Sequence, residues 1–185
     1  QINAELVKPT TDNRIFVNAY GSLNGRTELN THFNTTLSDK WSTGLYVHAN
    51  NRSQKFDRNN DSFLDMPLSK QLNIMNRWQY SNLQKGLISF LNVRYLTDEK
   101  QAGQLDFDPQ TDRLSTTVWG SKIATKRFEV SSKFGYVNPE IPYQSLGLQI
   151  SYSDHDQASY FGLNQYDIRH KSLYSNLVYN SIISD

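Results

Sequence analysis

Residues 28–50 read ELNTHFNTTLSDKWSTGLYVHAN. In the first ten, Leu29, Thr31, Phe33, Thr35 and Leu37 share one parity, and Glu28, Asn30, His32, Asn34 and Thr36 share the other. After Ser38-Asp39-Lys40 the pattern resumes, with Trp41, Thr43, Leu45, Val47 and Ala49 set against Ser42, Tyr46, His48 and Asn50. Period-two alternation is the mark of a strand, because successive side chains of a pleated chain point to opposite faces. A short polar link between two such runs predicts a hairpin turn. If that turn pairs Leu37 with Trp41, His48 stands opposite Asn30 and His32 opposite Tyr46. The two histidines then become diagonal neighbours on the polar face.

The same reading extends in both directions. Ile2, Ala4 and Leu6 oppose Asn3 and Glu5, and Ile15, Val17 and Ala19 oppose Asn18 and Tyr20. Further on, Leu72, Ile74, Trp78 and Tyr80 alternate with Asn73, Arg77 and Gln79, and Asn76 interrupts the apolar side. Comparable runs centre on Leu91–Tyr95, Phe128–Tyr136, Leu146–Tyr152 and Leu173–Tyr179. We expect about nine strands of roughly ten residues each, and no helix. Short connections are expected at residues 10–13, 38–40, 82–86 and 139–143, with a tight turn at Asn24-Gly25. Long ones are expected at residues 51–68, 98–126 and 157–170.

Composition narrows what such a sheet can be. Only 37 % of the 185 residues are hydrophobic, the mean hydropathy is -0.66, and no run approaches the ~20 apolar residues of a spanning helix. A transmembrane strand is different, since only alternate residues meet lipid. The formal net charge is +1, too small for a strong field that attracts nucleic acid or acidic lipid, and without cysteine there is no disulfide, thiolate nucleophile or thiolate metal site. Strands with asparagine, arginine and lysine along one whole face are what a wet lumen requires. The expected fold is therefore all-β: an antiparallel transmembrane β-barrel wall, with short periplasmic turns and long extracellular loops. Trp41, Trp78, Tyr80, Tyr95, Tyr136 and Tyr152 lie where interfacial aromatic girdles would form. A soluble β-sandwich or jelly roll is the competing architecture.

Two stretches carry a resemblance to a known family. They are residues 57–80, DRNNDSFLDMPLSKQLNIMNRWQY, and residues 159–182, SYFGLNQYDIRHKSLYSNLVYNSI. Residues 133–148, KFGYVNPEIPYQSLGL, add a turn of similar style. Together they resemble the barrel of TonB-dependent outer-membrane receptors of the Bacteroidetes type. The resemblance implies a barrel of about 22 strands with a plugged lumen. It implies active import of a scarce ligand such as a ferric siderophore or cobalamin. The implied partners are outer-membrane lipid, the plug and remaining strands, the TonB complex, a small-molecule ligand and a surface lipoprotein, with no nucleic acid. Residues 1–185 show no recognisable plug or TonB-contacting segment, so they are read as a partial barrel domain, internal to a longer protein. Two other functions fit the same pattern. One is a passive or structural barrel, such as a porin or assembly scaffold. The other is a soluble carbohydrate-binding sandwich with Trp119, Tyr160 and Tyr166 as stacking platforms.

Few residues carry chemistry of their own. Asp57, Asn59, Asp61, Phe63 and Asp65 have the spacing of the first half of a calcium loop, in which alternate oxygens and one main-chain carbonyl converge on a hard cation. Ser62 stands where that loop wants glycine, and Leu68 where it wants a bidentate glutamate. A solvated loop held by Asx turns is the plain alternative. His32 and His48 could hold a transition metal or its chelate, or simply belong to a polar ladder. Arg77, Arg94 and Lys133 are expected to face the lumen, toward a plug or a ligand path. Asp154-His155-Asp156 has acid–base residue types, read at a strand-to-loop junction with no nucleophile placed beside them. No enzyme activity is expected.

Overall fold

The computed structural model describes residues 8–182, and the run expected at Ile2–Leu6 lies outside them. The chain is all-β. Its strands are β1 (Ile15–Gly21), β2 (Arg26–Thr36), β3 (Trp41–Arg52), β4 (Leu68–Asn82), β5 (Leu87–Gly103), β6 (Gly120–Val137), β7 (Ser145–Phe161), β8 (Asn164–Gln165) and β9 (Ile168–Asn180). One 3-10 turn, Leu83–Lys85, joins β4 to β5.

All nine strands form a single antiparallel sheet, in which each strand from β1 to β7 pairs with the next and β8 and β9 both pair with β7. Among the described residues the sheet is not closed, because β1 pairs only with β2 and β9 only with β7. Register runs unbroken along every pair, so parity alone assigns each side chain to a face. The pairing inferred from the Ser38–Lys40 turn is the one found: Asn30 opposes His48, and His32 opposes Tyr46.

Burial runs opposite to that of a water-soluble sheet. On the apolar face, Phe33 and Leu45 are each 44 % exposed, and Leu91, Phe128 and Ile150 are similar. On the polar face, Asn34 is only 3 % exposed and Arg77 and Gln79 are equally buried. A groove of about 660 Å³ on the polar side is lined from Phe16 on β1 across to Ser172 on β9. One hollow that touches both edges of so wide a sheet means that the sheet curls around its polar face. Phe107 and Tyr160 are the only buried hydrophobic side chains among the described residues, and both lie near the end of the sheet that carries the longer loops.

Three expectations about length are corrected. Strands β4 to β7 have 15, 17, 18 and 17 residues, well beyond the ten expected. Their outer ends are polar on both faces, so hydrophobic alternation stops before the hydrogen-bond ladder does. The loop expected at residues 98–126 accordingly shrinks to 104–119. The loop expected at 157–170 is a tight turn at residues 162–163, between β7 and β8. Gly162 takes φ of 57° there, a left-handed backbone that glycine adopts without a Cβ penalty. The polar Asn164-Gln165 pair after it reads as loop but continues the strand. Long connections thus remain only at residues 53–67 and 104–119, both at the same end of the sheet.

Candidate functional site

The polar face carries several clusters of side-chain hydrogen bonds that bridge neighbouring strands. On β2 and β3, the Nδ1 of His48 lies 2.6 Å from Asn30 Oδ1, and its Nε2 lies 3.1 Å from Gln71 Oε1 on β4. Asn50 donates to the same Gln71 oxygen at 2.8 Å. Both nitrogens of His48 are thereby engaged by amide groups of neighbouring strands. His32 does not join them. Its ring stacks on Phe16 at 5.3 Å, and its Nε2 faces Asn13 O at 3.1 Å and Asp12 Oδ2 at 3.2 Å. The diagonal placement is as expected, but each imidazole has its own partners.

Further clusters lie toward the other edge. Arg94 on β5 donates through Nε to Asn73 on β4 at 2.9 Å and through Nη1 to Glu129 on β6 at 3.1 Å. Arg127 pairs with the second oxygen of Glu129 at 2.6 Å. One carboxylate on β6 thus holds two guanidinium groups, one from β5 and one from its own strand. Ser153 and Ser172 share a hydrogen bond of 2.8 Å between β7 and β9. Arg77 is buried with its guanidinium 4.6 Å from the Phe90 ring centre. That placement suits a desolvated cation over an aromatic face. Lys133 is exposed on the same face. All five polar residues singled out in the sequence therefore share the groove side. Arg127 and Glu129 complete the network, and Arg127 was missed because it precedes the apolar run that marks the strand.

The turn at residues 57–65 is ordered by its own carboxylates. Asp57 accepts from the N–H of Asp61 at 3.1 Å and of Ser62 at 2.9 Å. Asp61 accepts from the N–H of Phe63 at 2.8 Å and from Asn59 Nδ2 at 2.8 Å, and Asp65 accepts from the N–H of Arg58 at 3.1 Å. Asn60 and Ser62 have φ of 58° and 67°, so the chain makes its sharp bend without glycine. The Asp61–Phe63 bond is an Asx turn, while Asp57 and Asp65 reach across four to seven residues.

The two long loops are joined to each other. Leu64 N–H donates to Gly103 O and Leu105 N–H to Ser62 O, both at 2.9 Å, around a Phe63–Gln104 bridge. Phe63 lies 6.1 Å from Trp119. Phe107 packs edge-on to Tyr160 at 6.4 Å and rests on Gly120, where a Cβ would run into its ring. Of the three aromatic residues considered as stacking platforms, Tyr160 is buried in this contact, while Trp119 and Tyr166 are exposed.

Asp154-His155-Asp156 lies well inside β7 and not at a strand end, which corrects the sequence reading. Alternation turns His155 to the polar face and the two aspartates to the other, where Asp154 pairs with Lys171 at 3.3 Å. The triplet does not converge on one point.

A scan against protein-family models found no match, and searches of curated proteins and of solved structures found no matching chain.

Proposed function

We propose that this sheet is part of the wall of an outer-membrane β-barrel, in the transport-receptor role that its sequence style resembles. One observation carries the reading: the apolar face is the exposed one and the polar face is the curled, hydrogen-bonded one. A single sheet in water should do the reverse, because burying apolar area provides most of the driving force for folding. In a bilayer the sorting is correct, since hydrocarbon takes the place of a second layer. The dimensions agree. On β6 the apolar face runs from Phe128 to Tyr136. At about 3.3 Å per residue and a tilt near 40°, that spans roughly 20 Å, close to the ~25 Å band of outer-membrane barrels.

The open edges support a segment of a larger wall. Backbone groups in hydrocarbon must be paired, so β1 and β9 call for further strands. The groove would then be a sector of the lumen, and its ladder would rigidify the inner wall. His32, His48, Arg77, Arg94 and Lys133 would face a plug or a passing ligand. A soluble sandwich has less support, because all nine strands belong to one sheet.

The chain has no cysteine, which permits single-site labelling. Leu45→Cys carrying a fluorophore should be quenched by a lipid-phase quencher, and Ser151→Cys should react with a water-soluble maleimide. Reversed or equal responses would remove the membrane wall. Active uptake is tested in the intact protein, whose loss should abolish accumulation of a ferric siderophore or cobalamin at low concentration. Loss of a passive pore would leave accumulation dependent only on the external gradient.

A further inference from the structure

The two ends of the apolar face differ in a way that the barrel reading alone does not require. Toward the short turns this face ends in Trp41, Tyr80, Leu87, Tyr136 and Tyr179, and none of the strand residues flanking them on that face is charged. Trp41 and Tyr80 are in ring contact at 5.0 Å. Toward the long loops the same face turns basic. Lys126 follows Phe128 on β6, Lys171 and Arg169 precede Leu173 on β9, and Lys70 and Lys122 lie slightly farther out. Three carboxylates are interspersed: Glu99, Asp154 and Asp156. Lys122 reaches Glu99 at 3.6 Å and Lys171 reaches Asp154 at 3.3 Å, so the basic groups outnumber their acidic neighbours on this collar. A shallow hollow of about 200 Å³ is lined here by Asn51, Leu68, Lys70, Glu99, Gln101 and Lys122.

We infer that this collar binds the phosphorylated headgroups of lipids in the leaflet on the long-loop side. The inference rests on the membrane reading above and adds a partner and an orientation to it. Position carries the argument. Lys126 lies two residues beyond Phe128, about 7 Å along the strand. A lipid with its tails on Phe128 and Ile150 therefore has its headgroup at collar height. The lysine stems can lie along the band while their ammonium groups reach the phosphate, and Asn51 adds an amide donor. The uncharged aromatic rim at the other end suits the opposite interface. Charge on one rim and rings on the other thus match two unlike leaflets.

The test is flotation of the full chain with phosphatidylcholine vesicles, with and without a minor fraction of phosphatidic acid in both leaflets. Symmetric lipid makes the direction of insertion immaterial. The wild type should float with neutral vesicles and bind the acidic ones more tightly, by about fivefold for each engaged lysine. Lys70→Gln, Lys122→Gln and Lys126→Gln together should abolish that gain and leave neutral binding intact. Lys55→Gln, Lys85→Gln and Lys133→Gln remove the same charge from outside the collar and should leave the gain in place. If the collar variant keeps the gain, or the control loses it equally, the headgroup surface is overturned while the membrane wall stands. Failure of the wild type to float with neutral vesicles overturns both. Should the collar variant not fold, the wild type decides, because a phosphatidic acid gain that is indifferent to salt also rejects the collar.

Discussion

At the middle of β3, Leu45 is 44 % exposed among neighbours of its own kind, whereas Phe107, in the loop after β5, is 2 % exposed against Tyr160. The wall and the cap of one sheet thus treat apolar side chains in opposite ways. The cap follows the rule for water: Phe107 and Tyr160 bury each other, Gln101 bonds to the Phe107 carbonyl, and Arg113 covers the Tyr160 ring. The wall does the reverse, with its apolar side chains exposed and polar groups bonded to each other on the concave side. On the proposed reading, the contrast is a change of solvent along the length of the strands, between the apolar band and the longer loops.

The largest effect that could break this contrast lies in the cap. Phe107→Ala should cost about 3–5 kcal/mol of local stability, because it empties the one well-packed aromatic contact. Rapid proteolysis within residues 104–119, with the strands still protected by hydrogen exchange, is the expected outcome. A global loss of strand protection would mean that the wall depends on the cap.

Next comes Leu45→Arg, whose sign should depend on the medium. In lipid it should destabilise by roughly 2–4 kcal/mol if Leu45 is near the midplane, as read from denaturant unfolding in vesicles. Without lipid it should be neutral or improve solubility, since the site is already exposed. Ser151→Arg on the groove side should cost well under half as much in lipid. Asn34 is a poor control for that face, because it is buried and bonded to the Asn13 carbonyl at 2.9 Å.

A smaller effect is expected from Glu129→Ala. It leaves Arg94 and Arg127 facing each other without their shared carboxylate. Both pairs are partly exposed, so solvent screening limits the loss to about 1 kcal/mol, and added salt should shrink it. Thermal unfolding in neutral detergent at two ionic strengths would measure this. The smallest effect concerns the turn at residues 57–65. Leu68 offers no carboxylate at the twelfth position, so calcium held by Asp57, Asn59, Asp61 and Asp65 should bind with Kd near 10⁻⁴–10⁻³ M. Calorimetric titration with no heat in the millimolar range would leave the turn to its own hydrogen bonds alone.

How much of this was legible in the sequence depends on the region. For β2 and β3, alternation is strong and the turn between them is short, so strand, face and pairing could all be read. The Asn30–His48 and His32–Tyr46 pairs followed from a single turn. Legibility failed at the outer ends of β5, β6 and β7, where Lys122, Lys126, Gln157 and Ser159 carry no hydrophobic period. There the ladder is extended by backbone bonding, which side-chain type does not report. It failed again at residues 162–163, where one left-handed glycine replaced an expected loop. The Phe107–Tyr160 contact brings together a loop and a distant strand, and no local pattern announces such a pairing.

Period-two chemistry along the chain was enough, by itself, to determine strands, faces and local register, because alternation binds each side chain to one side of a pleat. Only the tertiary structure decided which face curls inward, how far the strands run, and that His32 and His48 keep separate partners. Those outcomes depend on contacts between residues far apart in sequence and on the curvature of the whole sheet.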